Sequence, residues 1–186
     1  MIAVIAAMIG ASACDDDDGD DNDNVPKEWT QSDKNFATQA NEANRAEIEL
    51  GTLAAAQAGD SSVKVFGQMM VDDHSGALNE LKALADNKNF PLSTDLTAEH
   101  QQLKTRLMGL SGFSFDTAYV NSQVVAHTQA EALFESQSNS GDDAALKSYA
   151  GKYLPHIRLH LQKSDSLHIV LTDSIPDVND TIPDTN

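Results

Sequence analysis

Four ligand-capable side chains interrupt the apolar stripes of this sequence: Glu47, His74, His127 and His160, with His156 one turn before the last. A carboxylate or imidazole facing a core is costly unless it is paired or ligated, and four of them on separate segments ask for one explanation. One carboxylate with several neutral imidazoles is a donor set that suits zinc, copper, iron or nickel. Asp72, Asp73 and Glu131 stand close enough in sequence to orient the imidazoles by hydrogen bonding. Met69 and Met70 precede His74, and Met70, one turn away, could add a thioether that favours copper(I). Each residue also has a plainer reading. A stripe histidine can be a core residue with one hydrogen bond, Glu47 can pair with a histidine as a buried ion pair, and methionine fills core gaps.

The segments that carry these residues read as helices. Phe36, Ala40, Ala43, Glu47, Leu50 and Ala54 recur every three to four residues, the period of one helical face, with Ser32 or Asp33 as N-cap and Gly59 as stop. A second helix follows Asp60 and Ser61, with Val63, Phe66, Met70, His74, Ala77, Leu81 and Leu84 on one face, and ends over residues 87–91. A shorter helix is predicted over residues 94–108, closed by Gly109 and Gly112. A third long helix carries Val120, Gln123, His127, Ala130 and Phe134. The fourth runs from Asp142 and Asp143 to about Leu171, with Leu146, Tyr153, Ile157, His160, Ser164 and Leu167 on one face and Pro155 inside, where a bend is expected. No segment alternates with period two. The pattern predicts an all-α fold, an antiparallel four-helix bundle with a short extra helix between helices 2 and 3.

Helix arithmetic puts the polar residues at one level. If the chain runs up, down, up and down, the short turns near Gly59 and Gly141 share one end. Glu47, His74, His127 and His156 then lie about 12 to 15 residues from that end, about 18–23 Å at 1.5 Å per residue. His160 falls about one turn deeper. Bundle-core metal sites are built from facing helices in this way, but the Glu-x-x-His pairs of di-iron carboxylate bundles are missing: Val71 precedes His74 by three residues, and Val124 precedes His127. No Gly-x-Ser-x-Gly elbow, His-Glu-x-x-His helix or phosphate loop is present, so catalysis is not expected.

The ends of the chain speak to location. Cys14, the only cysteine, follows the small-residue run Gly10-Ala11-Ser12-Ala13 and precedes Asp15-Asp16-Asp17-Asp18. That junction resembles a bacterial lipoprotein processing site, which makes residues 1–13 a signal peptide and Cys14 the lipid carrier. Ala11 stands where Leu is usual. The leader carries no Lys or Arg, which implies a start further upstream. Thirteen residues are too short to span a bilayer, which takes about 20. Residues 14–31 then form an acidic, solvated linker, and an acidic run directly after such a cysteine resembles a surface-export signal. Residues 32–172 form the folded domain, and residues 173–186, with Ile-Pro-Asp twice, a disordered tail.

The formal net charge of −17 is mostly terminal. Of 29 acidic residues, seven lie in residues 15–23 and four from Asp173 onward, leaving 18 between Val25 and Thr172 against 12 basic ones. Nothing there forms the clustered basic footprint of a nucleic-acid binder. With one cysteine no internal disulfide can form.

Glu47 with Leu53-Ala54, the run from Val63-Lys64-Val65-Phe66 to Met70-Val71-Asp72-Asp73-His74, Phe115-Asp116-x-x-Tyr119, His127, and Leu154-Pro155 with His160 resemble the DUF4142 family over roughly residues 32–171. The resemblance implies a ferritin-like helical bundle exported to the bacterial envelope, with no established reaction. It also places His74, His127 and His160 on the family's characteristic histidines, which favours His160 over His156. The expectation is a lipid-anchored envelope protein, at the outer membrane or cell surface or else periplasmic, whose bundle binds a divalent transition metal for sequestration or sensing through Glu47, His74, His127 and His160. The alternative is a tethered module without metal that meets another envelope component.

Overall fold

The computed structural model describes residues 28–173, which form five helices: α1 (Gln31–Gln57), α2 (Ser61–Asn87), α3 (Ala98–Met108), α4 (Gly112–Ser140) and α5 (Ala144–Asp173). There is no strand among the described residues, so the all-α expectation holds, with the short helix where it was predicted. Cys14, the leader, the linker up to residue 27 and the tail beyond Asp173 lie outside the described residues. No described helix is long and apolar enough to cross a membrane.

Local chemistry sets the helix starts. Thr30, rather than Ser32 or Asp33, caps α1: its hydroxyl accepts from the Asp33 N–H while the Asp33 carboxylate reaches back to the Thr30 N–H, a reciprocal capping box. Asp60 caps α2 by accepting from the N–H groups of Ser62 and Val63. α3 begins four residues later than predicted. Ser93 closes a turn onto the Asp95 N–H, and Thr97 is the side chain that accepts from the first turn, at His100. Asp143 caps α5 through Ala145 and Leu146, and α5 continues through Pro155.

The long helices pack chiefly as two hairpins, α1 with α2 and α4 with α5, and the hairpins meet through α1–α4 and α2–α5. α1 and α2 touch backbone to backbone at Gly51 and Gly67, where an added Cβ on Gly67 would lie 2.8 Å from the Gly51 carbonyl oxygen.

The two tight turns lie at opposite ends, which corrects the up-down-up-down order. At the start of α1, Asp33 accepts from the N–H groups of Asp142 and Asp143 in the α4–α5 turn and from the Gln137 amide. At the start of α4, Asp116 accepts from the N–H groups of Gly59 and Asp60 in the α1–α2 turn, at 2.8 and 2.9 Å. α2 and α4 therefore run the same way. The segment between them can return the chain along the length of α2, about 40 Å at 1.5 Å per residue: α3 supplies about 16 Å of rise, and the non-helical residues 90–97 can span the rest.

A polar belt divides the core. On one side Trp29, Phe36, Leu81, Phe134, Leu146 and Tyr149 belong to one apolar cluster. On the other, Leu50, Phe66, Met70, Leu107, Phe115 and Tyr119 belong to a second. Between these sets along the helices lie the buried polar residues Asn44, Glu47, His74, Gln123, His127 and His160.

Candidate metal centre

His74, His127 and His160 converge inside that belt. Each offers one ring nitrogen, and the three nitrogens lie within 4.8 Å of one another. The ring centroids are 5.2–5.7 Å apart. All three side chains are buried, His127 and His160 at 1 % exposure. They share a level despite the reversed topology because each sits near the middle of its helix. Counting from either end reaches nearly the same depth.

Hydrogen bonding fixes the protons on the rings. The Ala77 carbonyl can only accept, so the Tyr149 hydroxyl donates to it, at 3.2 Å. Tyr149 in turn accepts from the Asn44 amide nitrogen, at 3.2 Å, which turns the amide oxygen toward His74 Nδ1, at 2.8 Å. His74 therefore carries its proton on Nδ1 and leaves Nε2 bare. His127 Nδ1 donates to the Gln123 carbonyl at 3.0 Å, again leaving Nε2 bare. His160 Nε2 donates to the Asp73 carboxylate at 2.9 Å, so Nδ1 is its bare atom. These three bare nitrogens are buried and without a hydrogen-bond partner.

Electrostatics favours the neutral form of His74 and of His160. Burial first, and then the neighbouring histidines, hold His74 well below the usual imidazole range. Burial lowers His160 to about 4, against the Asp73 hydrogen bond, which acts in the opposite direction. A neutral imidazole with one nitrogen held by an acceptor is the ligand form a transition metal requires. An ion bound at ~2.0–2.1 Å from each nitrogen would draw the three together to about 3.3 Å, a closure that small ring movements can supply. Three imidazoles would leave a fourth position open. A cavity of about 20 Å³ adjoins His74 and His160, room for a single water or ion.

The other candidates separate into different roles. Glu47 is buried, but it lies outside the three-histidine cluster. It lines a larger cavity between α1, α3 and α4, and its charge helps burial to raise the Tyr119 phenol well above its usual range. Asp73 meets the expectation of an orienting carboxylate through His160. Glu131 pairs instead with Arg158, at 2.7 Å, and Asp72 with Gln68, at 2.9 Å. His156 is exposed at the rim of the small cavity. Met70 packs in the second apolar cluster, with Met69 against it.

The sequence did not single out Asn44 or Tyr149. Asn44, not Ala43, is the buried residue of its turn; a polar side chain one turn before Glu47 on the same face was the signal available.

The profile of a family described as "Domain of unknown function (DUF4142)" matches residues 20–167. Among solved structures, the chain is similar to the crystal structure of a DUF305 fragment from Deinococcus radiodurans, with a TM-score of 0.68 and 11 % identity, covering 79 % of this chain and 99 % of that one. At that identity the likeness bears on the fold alone. No curated protein matches the chain.

Proposed function

The chain belongs to the DUF4142 family, a domain of unknown function, and from that premise we propose that it is a metal-binding protein of the cell envelope. Its site is the His74, His127 and His160 cluster of a ferritin-like, antiparallel four-helix bundle. The single observation that carries this reading is that each imidazole commits one nitrogen to a fixed acceptor while the other stays buried and bare. Three such lone pairs facing no donor are costly in an apolar interior, and a bound cation removes that cost. The donor set is neutral and nitrogen-only, which suits zinc, copper, iron or nickel and disfavours magnesium or calcium. Sequestration or sensing fits a site built from three side chains, with no nucleophile or general base assigned beside it.

The location is part of the same proposal. Cys14, lipidated after removal of residues 1–13, would tether the domain to the membrane, with residues 14–31 as spacer, at the outer membrane, the cell surface or the periplasm. Palmitate labelling of wild type and Cys14→Ser tests that part separately.

For the metal, protein purified without an affinity tag is analysed for content and melted with zinc, copper, nickel or iron. One equivalent is expected, with a rise in melting temperature by mass action, and both are lost in His127→Ala. Wild type with no stoichiometric metal and no melting shift would sink the reading and leave a tethered interaction module.

A further inference from the structure

A second polar cluster lies on the outer side of the belt, and the three histidines do not use it. Between α1, α3 and α4 runs a cavity of about 860 Å³. This is within the range of small-molecule sites. Its walls are mainly apolar, from Leu50, Leu103, Leu110, Ala118 and Val125. Three polar residues among them have buried atoms without a partner: Glu47 Oε2, both ends of the Gln123 amide, and His100 Nδ1. Gln123 is fully buried and Glu47 is 4 % exposed. No basic side chain forms an ion pair with Glu47 among the described residues. Lys104, on α3, is bound to Glu49 instead.

Buried polar groups are satisfied in native proteins with few exceptions. Here Glu47 Oε2 and both ends of the Gln123 amide lack partners, and both residues line the same cavity. What they lack defines what would fit. Glu47 needs a cation or a donor, the Gln123 oxygen needs a donor, and its nitrogen needs an acceptor. The apolar walls ask for a hydrocarbon or aromatic body.

We propose that this cavity binds a small amphipathic amine, whose ammonium is held by Glu47 and the Gln123 side-chain oxygen and whose apolar body lies along α3. Between Val25 and Thr172 acidic residues outnumber basic ones, 18 to 12, which favours the approach of a cation. Glu99 and Arg106, both exposed, put opposite charges at the rim of the cavity, whereas an anionic ligand of the same shape meets Glu47 at the buried end as a like charge.

The test uses the full chain and three probes of one size: 2-phenylethylamine, 2-phenylethanol and phenylacetate, titrated by calorimetry. The amine is expected to bind saturably at one site, the alcohol at least tenfold more weakly, and phenylacetate not at all. Glu47→Gln should lower the amine affinity at least tenfold. Val125→Trp, at a wall position 57 % exposed, should block the cavity without altering the melting temperature, and it keeps the test open if Glu47→Gln does not fold. No saturable amine binding to wild type, equal affinity for amine and alcohol, or amine binding unchanged in Val125→Trp would each overturn the proposal. His127→Ala should retain the amine while losing metal, and Val125→Trp the reverse, so this site and the metal centre fail independently.

Discussion

The side-chain oxygen of Asn44 lies 2.8 Å from Nδ1 of His74, and that contact decides which nitrogen of the ring is free. The arrangement depends on a chain of forced donors that begins at the Ala77 carbonyl and passes through the Tyr149 hydroxyl. Asn44→Ala should therefore weaken metal binding by about 10–100-fold, the usual cost of losing a partner behind a metal-bound histidine, while leaving the stoichiometry at one. Competition titration against a chelator measures it. An unchanged affinity would mean that His74 holds its tautomer without help.

Asp73 does the same for His160 from α2, and Asp73→Ala should lower affinity by a similar 10–100-fold. Asp73→Asn keeps an acceptor oxygen and should recover much of the loss. Equal losses in the two variants would point to the charge of Asp73 rather than to its hydrogen bond.

The metal-free protein should lose stability as pH falls. His160 is lowered from 6.5 to about 4 in the folded state, so between those values the unfolded chain binds the extra proton. Stability then rises with pH across that window and is insensitive to this group above it. The full effect of such a shift is roughly 3 kcal/mol, and His74, shifted in the same direction, adds to it. Urea melts at pH 7, 5.5 and 4.5 check this, and a flat profile contradicts it. His160→Gln should flatten part of the slope.

Two glycines of α2 should answer alanine with opposite signs. Gly76 faces open space, so Gly76→Ala gains helix propensity and should stabilise by about 0.5–1 kcal/mol. Gly67 lies against the Gly51 carbonyl and the Ala54 side chain, both 2.8 Å from an added Cβ. Gly67→Ala must push α1 and α2 apart, and about 1–3 kcal/mol is expected to be lost. Denaturant midpoints of the two variants give the comparison directly.

Asp116 holds the N–H groups of Gly59 and Asp60. Hydrogen bonds to a charged group contribute about 1.5–3 kcal/mol each, so Asp116→Ala should cost at least about 2 kcal/mol in a chemical melt. A smaller loss would show that the turn stands without its clasp.

Much of this was legible in the sequence because helices announce themselves locally. Apolar spacing found the four long helices, and Gly, Asp and Pro found their ends within a few residues. The order of the helices was not legible. The two short turns look alike in sequence, and nothing local shows that α3 and its approach return the chain to the far end before α4 begins. The histidine level was found in spite of that error, because His74, His127 and His160 lie mid-helix. Glu47 shared their depth but not their cluster. Depth is read from residue counts, whereas facing depends on helix rotation, which the pattern of α1 leaves loose between Ala43 and Asn44. Asn44 and Tyr149 escaped notice because their partnership crosses from α1 to α5, at a sequence separation of 105.

His74 comes from one hairpin, and His127 and His160 come from the other. Each hairpin is a continuous stretch of sequence, but the three nitrogens meet only once the hairpins have docked. An ion therefore has nothing complete to bind while the chain is still assembling, and it should leave the folding rate nearly unchanged. Its effect belongs to the reverse step: the bound ion must be released before the hairpins separate, so loading the site should slow unfolding. The protein would then gain lifetime from a bound metal, and a domain exposed to proteases is protected by slow unfolding whenever cleavage outpaces reclosing.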